Sequence, residues 1–417
     1  MEKKRQVIIG NSAAGLTAAI SIRRHDPHSV ISIISDEDCP AYSRVLTTYY
    51  LEGKIGRDQL YLCDLSFYDR FCLQPFLGHR AVGLDVGRQK VLLDRGPSIS
   101  FDNLLIATGA SPVFPDIPGI GLKGVFGLRT LADAEAMREW CKESKEVVIL
   151  GAGLVGLQVA NALWRRNLRL TVVVKSPQVL SQMLDPEAAS IIERAMKEKG
   201  VRVLKGREAQ EIRGDEGGAV REIVLEDGEL IPAQMVVVGK GVRPNLDLAM
   251  DAGIGTRTGI LVDPQMRTTI PNIYAAGDVA EGLDFLTGQS GMSAIWPTAV
   301  AQGEVAGLNM AGVAARSEGS IGRNVTHLFG QVAAALGMAR SQGEGFEAFS
   351  YCCPEDNVYR RLVFREGFLV GASLVNRTED AGFLYSVIRA RRKLEINREA
   401  IRFPLGWGSI MCRVVPG

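Results

Sequence analysis

Residues 146–163 read EVVILGAGLVGLQVANAL. An apolar, β-branched run breaks at Gly151, Ala152, Gly153, Leu154, Val155 and Gly156, then resumes in residues that favour a helix. That is the pattern of a strand, a tight phosphate-binding turn and a crossover helix. Residues 6–20, QVIIGNSAAGLTAAI, make the same move, with Gly10, Ser12, Ala14 and Gly15 in the turn. A glycine-rich turn lets backbone N–H groups approach a pyrophosphate with no Cβ in the way, and the partial positive charge of the helix end favours the anion. One such turn is weak evidence, because strand-to-helix packing alone produces it. Two, each after a β-branched strand and before a helix, predict an α/β chain with two dinucleotide sites. Ser12 replaces the middle glycine of the first turn and reduces backbone clearance there.

Working outward, the first unit runs from a strand at 6–9 through a helix at about 14–24 to a strand at 30–34, which ends at Ser35, Asp36 and Glu37. An acid about twenty positions past the glycines completes a Rossmann opening. Residues 80–104 look hairpin-like, and Pro112, Pro115 and Pro118 punctuate a linker. In the second unit, the strand at 168–174 is followed by Lys175, and an Asp227–Gly228 turn divides the alternating segments of residues 221–238, a hairpin signal. Chain order suggests one nucleotide domain, 114–244, inserted into another made of 1–113 and 245–312. Residues 313–417 form a third, smaller α+β domain, with two strands about a Glu366–Gly367 turn in 359–375 and an amphipathic helix with a basic end over 381–393.

The 417 residues are 46% hydrophobic with a net charge of +1, the balance of a soluble chain of two or three domains with no call for a nucleic-acid partner. Seven cysteines are scattered without metal-ligand spacing, so no disulfide framework, zinc site or iron-sulfur cluster is legible, and a reducing cytoplasm fits. The basic head and apolar run of MEKKRQVIIGNSAAGLTAAISI outline a signal peptide, but Gly10, Asn11, Ser12 and Gly15 interrupt it and the run at 30–34 completes a βαβ unit instead. No stretch reaches the roughly 18 to 20 apolar residues of a membrane span.

Five ordered motifs extend the reading: Gly10 to Gly15, LLIATGA (104–110), LRT (128–130), Gly151 to Gly156 and IYAAGDVAEG (273–282). Through them, over residues 5–312, the chain resembles the FAD-dependent pyridine nucleotide-disulfide oxidoreductase superfamily. The resemblance implies two Rossmann-like domains, FAD on the first loop and NAD(H) or NADP(H) on the second. It implies that Asp36 or Glu37 binds the adenosine ribose of FAD, that Ala81 lies against the adenine, and that Arg44 and Arg129 contact the phosphate and flavin region. Ala107, Thr108 and Gly109 would form the turn closing over the cofactor. Gly277 would help bind the cofactor and Asp278 would accept the ribitol hydroxyl, and the helix begun by Trp296 and Pro297 would face the flavin pyrimidine. Gly241 matches the glycine bordering the nicotinamide.

Departures from the family pattern narrow the chemistry. Disulfide reductases carry a redox cysteine after the second strand, yet AYSRVLTTYYLEGKI (41–55) has none, and Cys39 falls upstream of the Tyr42–Ser43–Arg44 run. This stretch is similar to the flavin domains of nitrite reductase large subunits and of rubredoxin or ferredoxin reductases. Gln158 stands where many relatives place a glutamate paired with a lysine, and no lysine occurs between Arg44 and Gly53. Gln158 would hydrogen-bond the carboxamide, with water or Tyr49 as the proton source at the flavin. Lys175 stands where an NAD-selective site usually has an acid, which suits a 2′-phosphate, though coenzyme choice stays open.

The resemblance thus implies an NAD(P)H:acceptor oxidoreductase, with an iron-sulfur protein or complex subunit as electron partner. It would act as a rubredoxin or ferredoxin reductase, or as the flavoprotein of a 2-oxoacid:acceptor oxidoreductase of the phenylglyoxylate type. Arg389, Arg391, Arg392, Lys393, Arg398 and Arg402 offer an acidic partner a basic surface. A homodimer or a larger hetero-complex is compatible with this. The alternatives are an NADH oxidase or peroxidase, whose relatives normally use the missing cysteine, and a non-enzymatic NAD(P)H-binding flavoprotein.

Overall fold

The structure, a computed structural model, describes residues 3–393 and 401–406. These fall into two compact units. The first comprises the chain up to Leu46, Ile55–Ser111 and Val242–Ser320; the second comprises Thr47–Lys54, Pro112–Gly241 and the described residues from Ile321 onward.

In the first unit, Arg5–Ile9 is flanked in parallel by Val30–Ser35 and Asn103–Ile106. Leu73–Leu77 and Ile273–Ala275 close the two edges of a five-stranded parallel sheet. The hairpin-like region therefore stops short of its expected end. Ala81–Asp85 and Lys90–Leu93 do pair antiparallel, but Asn103–Ile106 is buried at every position and belongs to the parallel sheet. A uniformly buried apolar run is what a strand covered on both faces requires. Helix Ala13–His25 packs on helix Trp296–Met310 through small residues: a Cβ on Gly303 would lie 2.3 Å from the Ala14 carbonyl oxygen, and one on Gly307 would lie 2.6 Å from that of Ala18. Ile8, Ile31, Ile33 and Leu105 meet Ala306 and Met310 in the core beneath.

The second unit repeats the design. Glu146–Leu150 lies between Arg169–Val174 and Met235–Val238, with Arg202–Lys205 and Val125–Gly127 at the edges, all parallel. A three-stranded antiparallel sheet, with the Asp227–Gly228 hairpin between Val220–Leu225 and Leu230–Pro232, buries Ile223, Leu225 and Ile231 against Val148, Val236 and Val238. Residues Arg323–Val375 add a five-stranded antiparallel sheet in which Val358–Arg365 and Phe368–Val375 form the expected hairpin. Beside it lies helix Ala381–Ala390, which ends with Arg391 in the left-handed region at φ 47°. Arg391, Arg392 and Lys393 therefore lie beyond the helix, which is shorter than expected, and Arg398 falls outside the described residues. Buried Arg360 binds Asp380 at 3.0 Å and donates to the Ile401 carbonyl at 2.8 Å. No helix among the described residues is long and apolar enough to cross a membrane.

Candidate functional site

Packing explains the outer glycines of both turns. A Cβ on Gly10 (φ 122°) would sit 2.2 Å from the Ala107 carbonyl oxygen, and one on Gly15 only 1.9 Å from that of Gly10. In the second turn, Gly151 (φ 110°) faces the Gly239 oxygen at 2.5 Å, and Gly156 faces the Gly151 oxygen at 2.4 Å. The middle position is different. Gly153 is exposed, and the nearest protein atom to a Cβ there lies at 3.8 Å, so nothing in the chain itself requires a glycine. That open space is what a close-lying pyrophosphate would fill.

The helices that follow the two turns point the same way. Ala13–His25 and Leu154–Trp164 start at Ser12 and Gly153 with no side-chain cap and no acid in the first turn. Helices Leu131–Trp140 and Pro186–Glu198, by contrast, are capped by Thr130 with Asp133 and by Asp185. Orphan N–H groups at a helix start need an acceptor, and a pyrophosphate would supply it at both loops. Helix Trp296–Met310 likewise begins uncapped, with Pro297 in its first turn. Ala14 is buried against Gly303, while Val155, 44% exposed, lies beside the open position of Gly153.

Around the first loop, Asp36 is the exposed acid at the strand end, whereas Glu37 accepts from the Tyr42 hydroxyl at 3.0 Å and from Arg44 at 3.1 Å. Burial alone would lower the Arg44 pKa, but Tyr42 and the Glu37 carboxylate outweigh it and raise it. Ala107 donates to the Ile9 carbonyl at 2.8 Å, and half-buried Ala81 opens the strand Ala81–Asp85. The turn after Ala107 is pinned by Asn245, which sequence reasoning passed over. Its Nδ2 donates to the Thr108 carbonyl at 2.9 Å, the Thr108 hydroxyl donates back to the Asn245 carbonyl at 3.2 Å, and Gly109 takes φ 68°. Gln302 was also not singled out; its Oε1 accepts from the Gly277 N–H at 2.9 Å, fixing the turn that presents half-buried Asp278. Both partners lie more than twenty residues from the turns they hold, beyond any local pattern.

Around the second loop, the Gln158 amide nitrogen donates to the Thr326 hydroxyl at 3.3 Å, which ties the helix to the C-terminal sheet. Gly241, at φ 92°, has open space where a Cβ would be. Arg129 precedes helix Leu131–Trp140 with its N–H on Asp133 at 3.0 Å, in the second unit, whereas Arg44 belongs to the first. Lys175, the residue that would suit a 2′-phosphate, pairs with Glu208 at 2.7 Å. The Lys54 ammonium, just past the lysine-free stretch from Arg44 to Gly53, lies 5.0 Å from the Tyr49 ring centroid. Burial pushes the Cys39, Cys63, Cys141 and Cys352 thiols up, and Glu37 and Asp38 raise Cys39 further, the reverse of an activated thiolate.

Two parallel sheets, each with a glycine turn feeding an uncapped helix, define a flavoprotein oxidoreductase of the two-nucleotide class. Residues 4–303 match the family model described as pyridine nucleotide-disulphide oxidoreductase. The chain belongs to this family, whose members use FAD and NAD(P)H. It is 34% identical, over 94% of its length and 93% of the relative's, to the NADH-dependent phenylglyoxylate dehydrogenase subunit epsilon of Aromatoleum evansii. It is 38% identical to an NADH oxidase of Methanocaldococcus jannaschii, over 75% of this chain and 71% of that one. Among solved structures, a ferredoxin reductase from Rhodopseudomonas palustris superposes with a TM-score of 0.88 at 28% identity, covering 96% of this chain and 97% of that one.

Proposed function

We propose that the chain is an FAD-containing NAD(P)H:acceptor oxidoreductase that exchanges electrons with an iron-sulfur carrier protein or complex subunit. The observation carrying the reading is the pair of uncapped glycine-loop helices together with a 41–55 segment that holds no cysteine. Gly10, Ser12, Ala14 and Gly15 would hold the FAD pyrophosphate, and Asp36 its ribose. Thr108, Gly109 and Asp278 would hold the flavin, with the Trp296–Pro297 helix start offering its N–H groups to the pyrimidine. Gly151, Gly153, Val155 and Gly156 would hold the coenzyme pyrophosphate. FAD supplies the link between a two-electron hydride donor and one-electron carriers. The protein contributes position and field, with Arg44 held by Glu37 and Tyr42, and Gln158 by Thr326.

The relative named as a phenylglyoxylate dehydrogenase subunit supports placement in a hetero-complex, and the scattered free cysteines support a cytoplasmic setting. The relative named as an NADH oxidase keeps oxygen as a second acceptor. Anaerobic and aerobic turnover of the purified FAD-loaded protein separates the readings. Slow NADH oxidation in air, accelerated at least about tenfold by added rubredoxin or ferredoxin, is expected. Fast oxygen consumption with no carrier effect would favour the oxidase, and a colourless protein that refuses FAD would end both.

A further inference from the structure

Three parallel strands of the second unit deliver charged side chains to one edge. Arg169–Val174 ends at Lys175, the turn after Arg202–Lys205 brings Glu208, and Met235–Val238 is followed by Lys240. Glu208 takes Lys175 on one carboxylate oxygen and Lys240 on the other, each at 2.7 Å. The two lysines come from opposite sides of Glu146–Leu150, the strand that feeds Gly151–Gly156. Glu226 adds a further negative charge near Lys175, so two lysines face two carboxylates and the local sum is zero. Arg207, the neighbouring guanidinium, binds Asp227 at 3.0 Å and Glu229 as well. Lys175, Lys240 and Arg207 are therefore each matched by an acid.

The end of the second strand is where a Rossmann site meets the adenosine ribose. A 2′-hydroxyl there needs an acceptor; a 2′-phosphate, with nearly two negative charges, needs uncompensated cations. We propose that Glu208, reaching across from the neighbouring strand, supplies the acid that is missing at position 175 and makes this site select NAD(H) over NADP(H). Lys175 is thereby a held cation, 78% exposed but neutralised. The proposal deepens the functional reading above and rests on it. Glu208 is a positioning and selectivity residue, distant in sequence from both lysines.

Isothermal calorimetry of the oxidised, FAD-loaded protein with NAD+ and with NADP+ tests it without turnover. The wild type is expected to bind NAD+ at least about tenfold more tightly. Glu208→Gln releases both lysines and removes the charged acceptor for the 2′-hydroxyl, so it is expected to tighten NADP+ by about tenfold and to weaken NAD+. Adding Lys175→Gln to that variant is expected to cancel the NADP+ gain. An unaltered thermal melt for each variant shows that binding alone has moved. A wild-type preference for NADP+, an unchanged ratio in Glu208→Gln, or a gain that survives the loss of Lys175 would each overturn the assignment. A wild type that binds FAD but neither nucleotide would overturn the functional reading as well, so the two failures are told apart.

Discussion

The two glycine turns solve one geometric problem with matching residues and diverge where they face outward. Gly10 with Gly15, and Gly151 with Gly156, are each forced by a carbonyl oxygen less than 3 Å from where a Cβ would stand. Ser12 and Gly153 share the cap position, yet only one is glycine, and no protein atom dictates the choice at Gly153. The strands that follow diverge too, ending in Asp36 and Glu37 in one unit and in Lys175 with a borrowed Glu208 in the other. Positions set by the chain's own packing repeat, whereas a position that no protein atom constrains is free to differ.

The contrast breaks most sharply under substitution. Gly15→Val, whose Cβ would meet backbone at 1.9 Å, is expected to cost more than about 3 kcal/mol and to abolish FAD retention, read by thermal melting and flavin absorbance. Gly153→Val should cost no more than about 1–2 kcal/mol, the loss of a favoured N-cap residue, while weakening NAD+ binding at least about tenfold. If it melts like Gly15→Val, the distinction between packing glycines and ligand glycines fails.

Next in size is a purely structural acid. Glu281, 1% exposed, accepts from Arg257 at 2.8 Å, from the Thr258 N–H at 3.0 Å and hydroxyl at 2.7 Å, and from the Gly259 N–H at 3.1 Å. Burial alone would raise its pKa, but Arg257, Thr258 and Gly259 hold it at about 2, below the ordinary 4.5. A depressed folded-state pKa stabilises above the unfolded value and is lost as pH falls from 4.5 toward 2. Glu281→Gln is expected to remove on the order of 2–3 kcal/mol at pH 7 and to flatten the acid limb of stability, checked by urea titrations across that range. An unchanged acid limb would assign the carboxylate no such weight.

A smaller effect is expected at Gln158→Ala, about 1 kcal/mol from the lost Thr326 bond, with a matching loss in Thr326→Val and no additivity in the double variant. The smallest is Cys39→Ser, expected to leave carrier-linked turnover within about twofold; a large loss there would restore thiol chemistry.

Much of this was legible from local pattern. β-branched runs ending in Gly10 and Gly151 announced both sheets, because a buried parallel strand has to be apolar throughout. The Asp227–Gly228 and Glu366–Gly367 hairpins followed from turn chemistry. What was not legible depends on residues far apart in sequence. Asn245 clasps Thr108 from 137 positions away, Glu208 captures Lys175 across 33, and the 41–55 stretch is shared between two units, its helix Thr47–Glu52 packing with the second. The Gly303 and Gly307 spacing was visible, but its meaning, close approach to Ala14 and Ala18, required the partner helix.

The parallel neighbour of Asn103–Ile106 is Ile273–Ala275, and Ala13–His25 waits for Trp296–Met310 to cover it. A ribosome that has emitted four strands of the first sheet must therefore translate the whole of Val125–Val238 before the fifth appears. The later-starting sheet is the first to have its full set of strands in hand, so on a growing chain the second parallel sheet is complete while the first is still open at one edge.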